Sequence, residues 1–274
     1  MNRLRNTLDL ARTSWEVLRR DRELLWLPVL SFVVSLAVLA AYLVPLMAIT
    51  GVGGENSAAG AAVWLLGLGA ALSVGIVSVF FNGALVAGAH ERLTGGDPTV
   101  SSAVRRAWSR LPGLVPWALI TTTVGLMLRA ARERSGTLAN LAVSVIGAAW
   151  DVVTFLVVPA IVVDGVGAVP GLRRSAELLS RTWGENIAAR VGFGLLGFLA
   201  VLPGLALAAL GVATGSAVVA VVAVVVAVVW IALVVVVMTA LTAVFQTALY
   251  HYATTGAVPA GFENTSLPRA FGPR

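Results

Sequence analysis

The sequence predicts an all-α integral membrane protein, and its composition and long apolar runs lead to this fold class. Apolar residues make up 58% of the 274 residues, charged residues only 12%, and the mean hydropathy is +0.92. A soluble domain of this size needs far more charge on its surface. Runs such as residues 217–241 exceed the ~18 apolar or small residues that mark a spanning helix. The charged residues fall into short clusters between such runs.

We therefore expect one membrane domain that covers residues 1–274. Its six spans are predicted at residues 24–49, 60–93, 114–128, 138–163, 187–210 and 216–250. The last span is rich in valine, but a backbone in lipid must satisfy its own hydrogen bonds, so a helix is favoured over a strand. Pro159 interrupts the fourth span. A polar tail is predicted at residues 256–274.

Three further segments are predicted to be amphipathic surface helices, at residues 2–22, 98–110 and 169–183. Each has apolar residues at spacings of three and four, with arginines on the other face. A basic helix with tryptophan is typical of a membrane interface, although a soluble helix packed on the bundle has the same pattern. The predicted interfacial anchors are Trp15, Trp108, Trp183, Arg105, Arg106, Arg173 and Arg174.

The sequence also predicts how two of these helices begin and pack. After the break at Gly95 and Gly96, Asp97 is expected to cap the second surface helix, with Pro98 in its first turn. In the third surface helix, the apolar stripe that should face the bundle is Leu172, Ala176, Leu179 and Trp183.

A threefold internal repeat would explain the order of these elements, since a surface helix followed by two spans occurs three times. The ends of the second and sixth spans share the pattern His-x-x-x-Thr-Gly-x-x-Pro, which starts at His90 and at His251. Such matches also arise by chance in an apolar chain of low complexity, so both interpretations stay open.

The arginines predict the orientation of the spans. Sixteen of them lie in the N-terminal segment, in the connections at residues 90–110 and 173–190 and in the tail, against three at residues 129–134 on the other side. Because cytoplasmic connections carry the excess of basic residues, both termini are expected in the cytoplasm. The same arginines predict contact with membrane lipids, preferably anionic, and argue against a nucleic-acid partner.

Three groups of residues form a recognisable set of short motifs. They are WDxxTFxxxP from Trp150, RSA from Arg174 with TWG from Thr182, and YATTGxxPxGF from Tyr252. With these motifs the chain resembles a family that is known only as a domain of unknown function. The resemblance implies a six-span protein of a prokaryotic cytoplasmic membrane, similar in outline to the membrane domain found beside some glycerophosphodiester phosphodiesterases. It implies no activity and no site residues.

Asp151 is the polar residue that stands out most, because it falls near the middle of the predicted fourth span. An acid at that depth costs about 2.5–3.5 kcal/mol on insertion scales and usually faces a bundle interior or water. Asp151 could relay protons or cations or contact a polar substrate. It could equally be a buried anchor, hydrogen bonded to Thr154, to a threonine of the third span or to Asn82.

Five polar residues are candidates for a site: Asp151, Asn82, His90, His251 and Asp164. The two histidines could meet Asp164 and Glu91 at the cytoplasmic rim. A metal needs three or four converging ligands, and the spacing offers no close pair, so no metal site is predicted. For Asn82 and Gln246, hydrogen bonds between helices are expected rather than chemistry.

Familiar enzyme chemistry has little support in this sequence, and no cofactor is predicted. Cysteine and lysine are absent, which excludes disulfides, thiolate metal sites and Schiff-base lysines. The motifs HExxH and GxSxG do not occur. We therefore expect a non-catalytic role in lipid or amphiphile binding, scaffolding or assistance to transport. The alternatives are a small proton- or cation-coupled transporter that uses Asp151 and an enzyme with an unfamiliar site. A protein partner or a homo-oligomer stays open.

Overall fold

The computed structural model describes residues 13–16, 19, 21–52, 57–134, 136–180, 183–259 and 262, and the regular structure in these ranges is entirely helical, as predicted. A 3₁₀ turn at Arg22–Leu25 leads into the first long helix. The helices are α1 (Trp26–Val52), α2 (Ser57–Leu93), α3 (Val100–Ser109), α4 (Leu111–Arg134), α5 (Thr137–Val153), α6 (Val157–Pro159, continued as a π-turn at Ala160–Asp164), α7 (Ala168–Ser180), α8 (Trp183–Ala213) and α9 (Ala217–Thr255).

Six segments of the described chain are long and apolar enough to cross a membrane, which confirms the predicted number of candidate spans. They are Glu23–Ile49, Gly60–Leu93, Leu111–Arg134, Ala139–Asp164, Gly194–Ala213 and Ala217–Thr255. The third is longer than the predicted 114–128, because the segment after Arg129 continues as helix instead of turning. Arginine and alanine are strong helix formers, and Arg129 pairs with Glu133 one turn later at 3.2 Å.

The helices pack closely at one end of the bundle, which we call the packed end. Its core contains residues 84–89 of α2 and most of residues 240–250 of α9, together with α6 and parts of α3, α4 and α7. Towards the other end, large apolar side chains such as Trp64 and Val44 are exposed, at 81% and 72%. Apolar exposure on this scale is unfavourable in water and typical of a surface that faces lipid.

The fourth candidate span is broken between α5 and α6. Pro159 has no N–H to donate, and in a regular helix its ring would clash with the carbonyl of the residue four positions earlier. Residues 154–156 therefore form a turn. Ser175 of α7 bridges this break: its hydroxyl accepts the Leu156 N–H at 3.1 Å and donates to the Val153 carbonyl at 2.5 Å. The π-turn then ends at Gly165, which has φ +73°.

Small residues, not the predicted stripe, lie at the centre of the packed face of α7. Gly171 and Ser175 are buried against the broken span, and a side chain at Gly171 would approach Ile161. Leu179 is buried as predicted, whereas Leu172 and Ala176 lie at the edge of this face. Ser175 can reach the backbone of the broken span only if α7 packs closely against it. Leucine side chains at the centre of this face would hold α7 too far away. The side chain of Trp183 lies outside what the structure describes.

The cap of α3 is also different from the prediction. Thr99, not Asp97, is the N-cap: its side chain accepts the Ser102 N–H, while the Ser102 hydroxyl accepts the Thr99 N–H. Asp97 instead pairs with Arg92 at 2.9 Å. The predicted first surface helix, residues 2–22, falls mostly outside the described residues, and of the tail only residues 256–259 and Phe262 are described. Phe262 is fully buried in the core of the packed end.

Candidate functional site

Asp151 lies on the open side of the α4–α5 hairpin. It lines a cavity of about 360 Å³ together with Thr121, Gly125, Leu128, Arg129, Arg132, Gly147 and Trp150. Its side chain is exposed, and the Thr154 hydroxyl donates to the Trp150 carbonyl at 2.8 Å rather than to the Asp151 carboxylate. Of the partners considered from the sequence, a threonine of the third span, Thr121, shares the cavity, and Asn82 does not. Two arginines line the same cavity as this acid.

Asn82 lies in a larger cavity, of about 580 Å³, between α2, α8, α9 and the break in the fourth span. The cavity has a mixed lining of polar groups, aromatic rings and glycines: Ser78, Asn82, Phe155, Gly194, Gly197, Phe198, Met238, Thr239, Thr242, Ala243, Phe245 and Gln246. Its volume is in the range of small-molecule sites. We call it the amphipathic cavity.

The side-chain amides of Asn82 and Gln246 face this cavity instead of joining two helices directly. Both lie on its wall, from α2 and α9, and neither amide has a hydrogen bond to another described residue. The interhelical hydrogen bonds expected for them from the sequence are therefore not formed within the described chain. A half-enclosed amide without a partner is a group that a ligand or water can satisfy.

The two histidines and Asp164 do come together, at the packed end. The rings of His90 and His251 are 6.4 Å apart, and Asp164 is close enough to His90 to act on it electrostatically. The Tyr250 hydroxyl donates a hydrogen bond to Asp164. Arg174 approaches the same carboxylate oxygen at 3.9 Å. The histidines and Asp164 were expected from the sequence to meet at one rim. Tyr250 was not predicted there, because it lies inside an apolar run.

Two more arginines surround this group. Arg106 of α3 acts electrostatically on His90. The Arg110 guanidinium lies directly over Gly165, where a Cβ atom would be 2.3 Å from its Nη1. Gly165 is required by its positive φ, and a side chain there would also displace the end of the Arg110 side chain. We call these seven residues the polar cluster: His90, Arg106, Arg110, Asp164, Arg174, Tyr250 and His251.

The polar cluster is not built like a metal centre. Within the described ranges, no group of three or more histidine, aspartate or glutamate side chains could hold a metal ion. Glu91, the remaining acid considered from the sequence, accepts a hydrogen bond from the Ser102 hydroxyl at 3.1 Å. Three arginines beside one carboxylate favour an anion over a cation.

The predicted anchors that the structure describes are all exposed. Trp108 is 66% exposed and touches Phe80 edge-on, and Trp15 is 39% exposed. Arg105 and Arg173 are exposed as well, and each is adjacent in sequence to an arginine of the polar cluster. On the bundle side, α3 buries Ala103 and Ala107.

An ion-pair clasp near the start of α1 was not predicted. Arg92, at the end of α2, donates from two nitrogens to the carboxylate of Asp21, which is buried, and also contacts Asp97 at 2.9 Å. The two main partners are 71 residues apart in sequence. The sequence showed only that Asp21 is an acidic residue just before the first predicted span. This position does not indicate which residue pairs with it.

In the described chain, the fold and these polar sites define a helical protein with six candidate membrane spans, the Asp151 cavity, the amphipathic cavity and a basic polar cluster at one end. The chain belongs to a family of unknown function, DUF6159, whose family model matches residues 58–262. No curated protein and no solved structure matches the chain.

Proposed function

We propose that the protein is a non-catalytic membrane protein that binds a lipid or another amphiphile in the amphipathic cavity. The observation that carries this proposal is the lining of the cavity, in which the amides of Asn82 and Gln246 lie beside the rings of Phe155 and Phe198. A polar group with an apolar chain is the ligand class that matches both kinds of wall.

Physical chemistry favours an occupant with both characters. The two amides are half-buried and unpartnered within the described chain, and a polar headgroup or hydroxyl would supply their hydrogen bonds. The aromatic and methionine side chains offer an apolar surface to a chain, and Met238 adapts its shape readily. Phe198, which lines the cavity, is 60% exposed, so an amphiphile could enter past this ring from the bilayer.

Two glycines provide a matched test. Gly194 lines the amphipathic cavity and Gly125 lines the Asp151 cavity, and a Cβ at either position meets no atom within 4 Å. Gly194→Leu should fill the amphipathic cavity without a clash, whereas Gly125→Leu leaves it open. We expect native mass spectrometry to show loss of copurified amphiphile from Gly194→Leu alone. Equal retention by both variants would refute the proposal.

Transport coupled to Asp151 is the second candidate. Its support is that this acid lines an open cavity between two candidate spans. Arg129 and Arg132 in the same cavity oppose the entry of a cation, since like charges at this range repel. If Asp151 couples transport, a proton relay is therefore favoured over the passage of a metal cation. An enzyme with an unfamiliar site has no supporting geometry of its own.

We further propose that α3 and α7 are interfacial helices on the cytoplasmic side, in a protein of the prokaryotic inner membrane with both termini in the cytoplasm. The exposed Trp108 beside Arg105 supports this arrangement. Because the chain has no cysteine, single cysteines report topology: Ser135→Cys should label from outside intact cells and Ser101→Cys only after permeabilisation. The reverse pattern would overturn the orientation.

The exposed arginines of these helices are expected to select anionic lipid, by about 1 kcal/mol each. The threefold repeat is part of the same proposal: α3 and α7 each precede a pair of spans and each turn small residues to the bundle and arginines outward. Replacing Arg105, Arg106, Arg173 and Arg174 together by glutamate should reduce retention of anionic lipid in mixed micelles. Unchanged retention would leave α3 and α7 as packing elements.

A further inference from the structure

The polar cluster concentrates positive charge where five elements meet. Arg106, Arg110 and Arg174 approach from α3, from the α3–α4 junction and from α7, and the arginine side chain stays protonated at any physiological pH. Asp164 is the one carboxylate within the cluster. The resulting field attracts an anion and repels a cation.

Two nitrogens of the cluster lack the partners that buried polar atoms normally have. Nδ1 of His90 and Nε of Arg110 are both shielded from solvent and make no hydrogen bond within the described chain. Buried groups of this kind are rare in folded proteins and call for an explanation. Both can donate a proton, so an anionic oxygen would satisfy both, whereas a second cation would satisfy neither.

The frame around these nitrogens is fixed before any ligand arrives. Tyr250 is almost completely buried and holds Asp164 by its hydroxyl. Gly165 gives the Arg110 guanidinium room to lie flat on the backbone that follows Asp164. Because these groups cannot reorient freely, a ligand would lose little binding energy to ordering them.

We propose that the polar cluster is a binding site for a phosphate group. Arginine guanidinium groups match the geometry of phosphate oxygens and bind them with charge-assisted hydrogen bonds. The exposed guanidinium groups of Arg106 and Arg174 would hold the phosphate at the surface of the cluster, and the unpartnered nitrogens of Arg110 and His90 offer two further donors. The phosphate is either that of a lipid headgroup or a free anion. This site lies about two helical turns beyond Asn82 along α2, and the inference does not depend on amphiphile binding in the amphipathic cavity.

Neighbouring arginines supply the matched controls. Arg105 and Arg173 are each adjacent in sequence to a cluster arginine, lie on the same helices and are exposed. Within each pair, Arg105 with Arg106 and Arg173 with Arg174, replacing either arginine by glutamine removes the same single positive charge. We expect Arg106→Gln and Arg174→Gln to weaken phosphate binding by roughly tenfold or more, as expected for a lost charged hydrogen bond. Arg105→Gln and Arg173→Gln should change the binding of inorganic phosphate by less than about twofold. They should lower the retention of phosphatidic acid by at most about fivefold, the share expected from a general attraction to anionic lipid. Arg174→Lys should restore part of the loss, since it keeps the charge but not the planar fork.

The experiment uses the full-length protein in nonionic detergent at constant ionic strength. One arm titrates inorganic phosphate by isothermal calorimetry, and the other measures retention of phosphatidic acid against phosphatidylcholine by native mass spectrometry. Melting temperatures without ligand check the fold. Arg106→Gln keeps the test valid if Arg174→Gln is unstable, because the Arg106 side chain is exposed and its only hydrogen bond to a described side chain, from the Ser109 hydroxyl, is made by the backbone carbonyl. Binding in the calorimetric arm identifies a free phosphate site. Selective retention of phosphatidic acid alone, with the same variant pattern, identifies a headgroup site. Equal losses for the cluster and control variants, or no binding in either arm, would overturn the proposal.

Discussion

Replacing Ser175 by alanine should strongly destabilise the protein, because this hydroxyl replaces the hydrogen bonds that the helix break removes. The residue is fully buried, and its oxygen serves both the Leu156 N–H and the Val153 carbonyl. A buried backbone group left without a partner costs about 1–3 kcal/mol. Leu156 is itself buried, whereas the Val153 carbonyl is only partly enclosed, so Ser175→Ala should lower the free energy of unfolding by about 2–4 kcal/mol.

Two further variants isolate the role of the hydroxyl. Ser144 donates to the Asn140 carbonyl within its own exposed helix at 2.8 Å, so Ser144→Ala should change stability by less than about 0.5 kcal/mol. Pro159→Ala restores an N–H and lets the helix close, so in that background Ser175→Ala should cost about 1 kcal/mol less. The assay is equilibrium unfolding in mixed micelles. A cost for Ser175→Ala no larger than that for Ser144→Ala would refute the bridging role, as would strict additivity with Pro159→Ala.

Three other substitutions test the clasp, the glycine contact and the intramembrane acid. Arg92→Ala leaves the buried Asp21 carboxylate without its partner and should cost about 3–5 kcal/mol in unfolding experiments. Gly165→Ala forces a side chain into positive φ and against Arg110, so its melting temperature should fall by several degrees, from a backbone cost of about 1–2 kcal/mol. Asp151→Asn should insert and fold like the wild type, and any proton-dependent transport in proteoliposomes should disappear with it.

Each of these predictions has a control in the same chain. Asp97 is 92% exposed in its contact with Arg92, so Asp97→Asn should leave stability within about 0.5 kcal/mol; a loss like that of Arg92→Ala would contradict the clasp. Gly136 has open space and a negative φ, so Gly136→Ala should be tolerated, and equal losses at both glycines would contradict the Gly165 argument. Failure of Asp151→Asn to insert would make the acid a paired structural charge.

The candidate spans could be predicted from the sequence because their signal is local. The length and hydropathy of an apolar run are properties of that segment alone, so a span can be predicted without knowing its distant contacts. The break in the fourth span is only half local. Pro159 shows that the helix is interrupted, but the group that bridges the break, Ser175, is 19 residues away from Leu156. The packed face of α7 was therefore centred on the wrong residues.

The polar sites show the same limit. His90 and His251 could be placed near each other from the sequence because each lies at the end of a span and begins the same short pattern. Tyr250 gives no such signal, since a single phenol in a run of apolar residues usually packs as part of the core. Arg106 and Arg110 were predicted only as surface charges, because periodicity shows which face of a helix is basic but not which residue of another helix it meets.

The amphipathic cavity lies where the bundle changes character, and this position follows from the placement of small residues. At the packed end, glycines and alanines let the helices approach closely: a Cβ at Gly83 would be 2.9 Å from Leu114, and one at Gly88 would be 2.6 Å from Leu24. Asn82 directly precedes that close-packed stretch on α2, and Gln246 lies within its counterpart on α9. The amphipathic cavity therefore begins where this close packing ends on α2, and on α9 it extends into the packed stretch as far as Gln246. An amphiphile whose polar group reached both amides would keep its apolar part beside Phe198, a cavity-lining side chain that is 60% exposed.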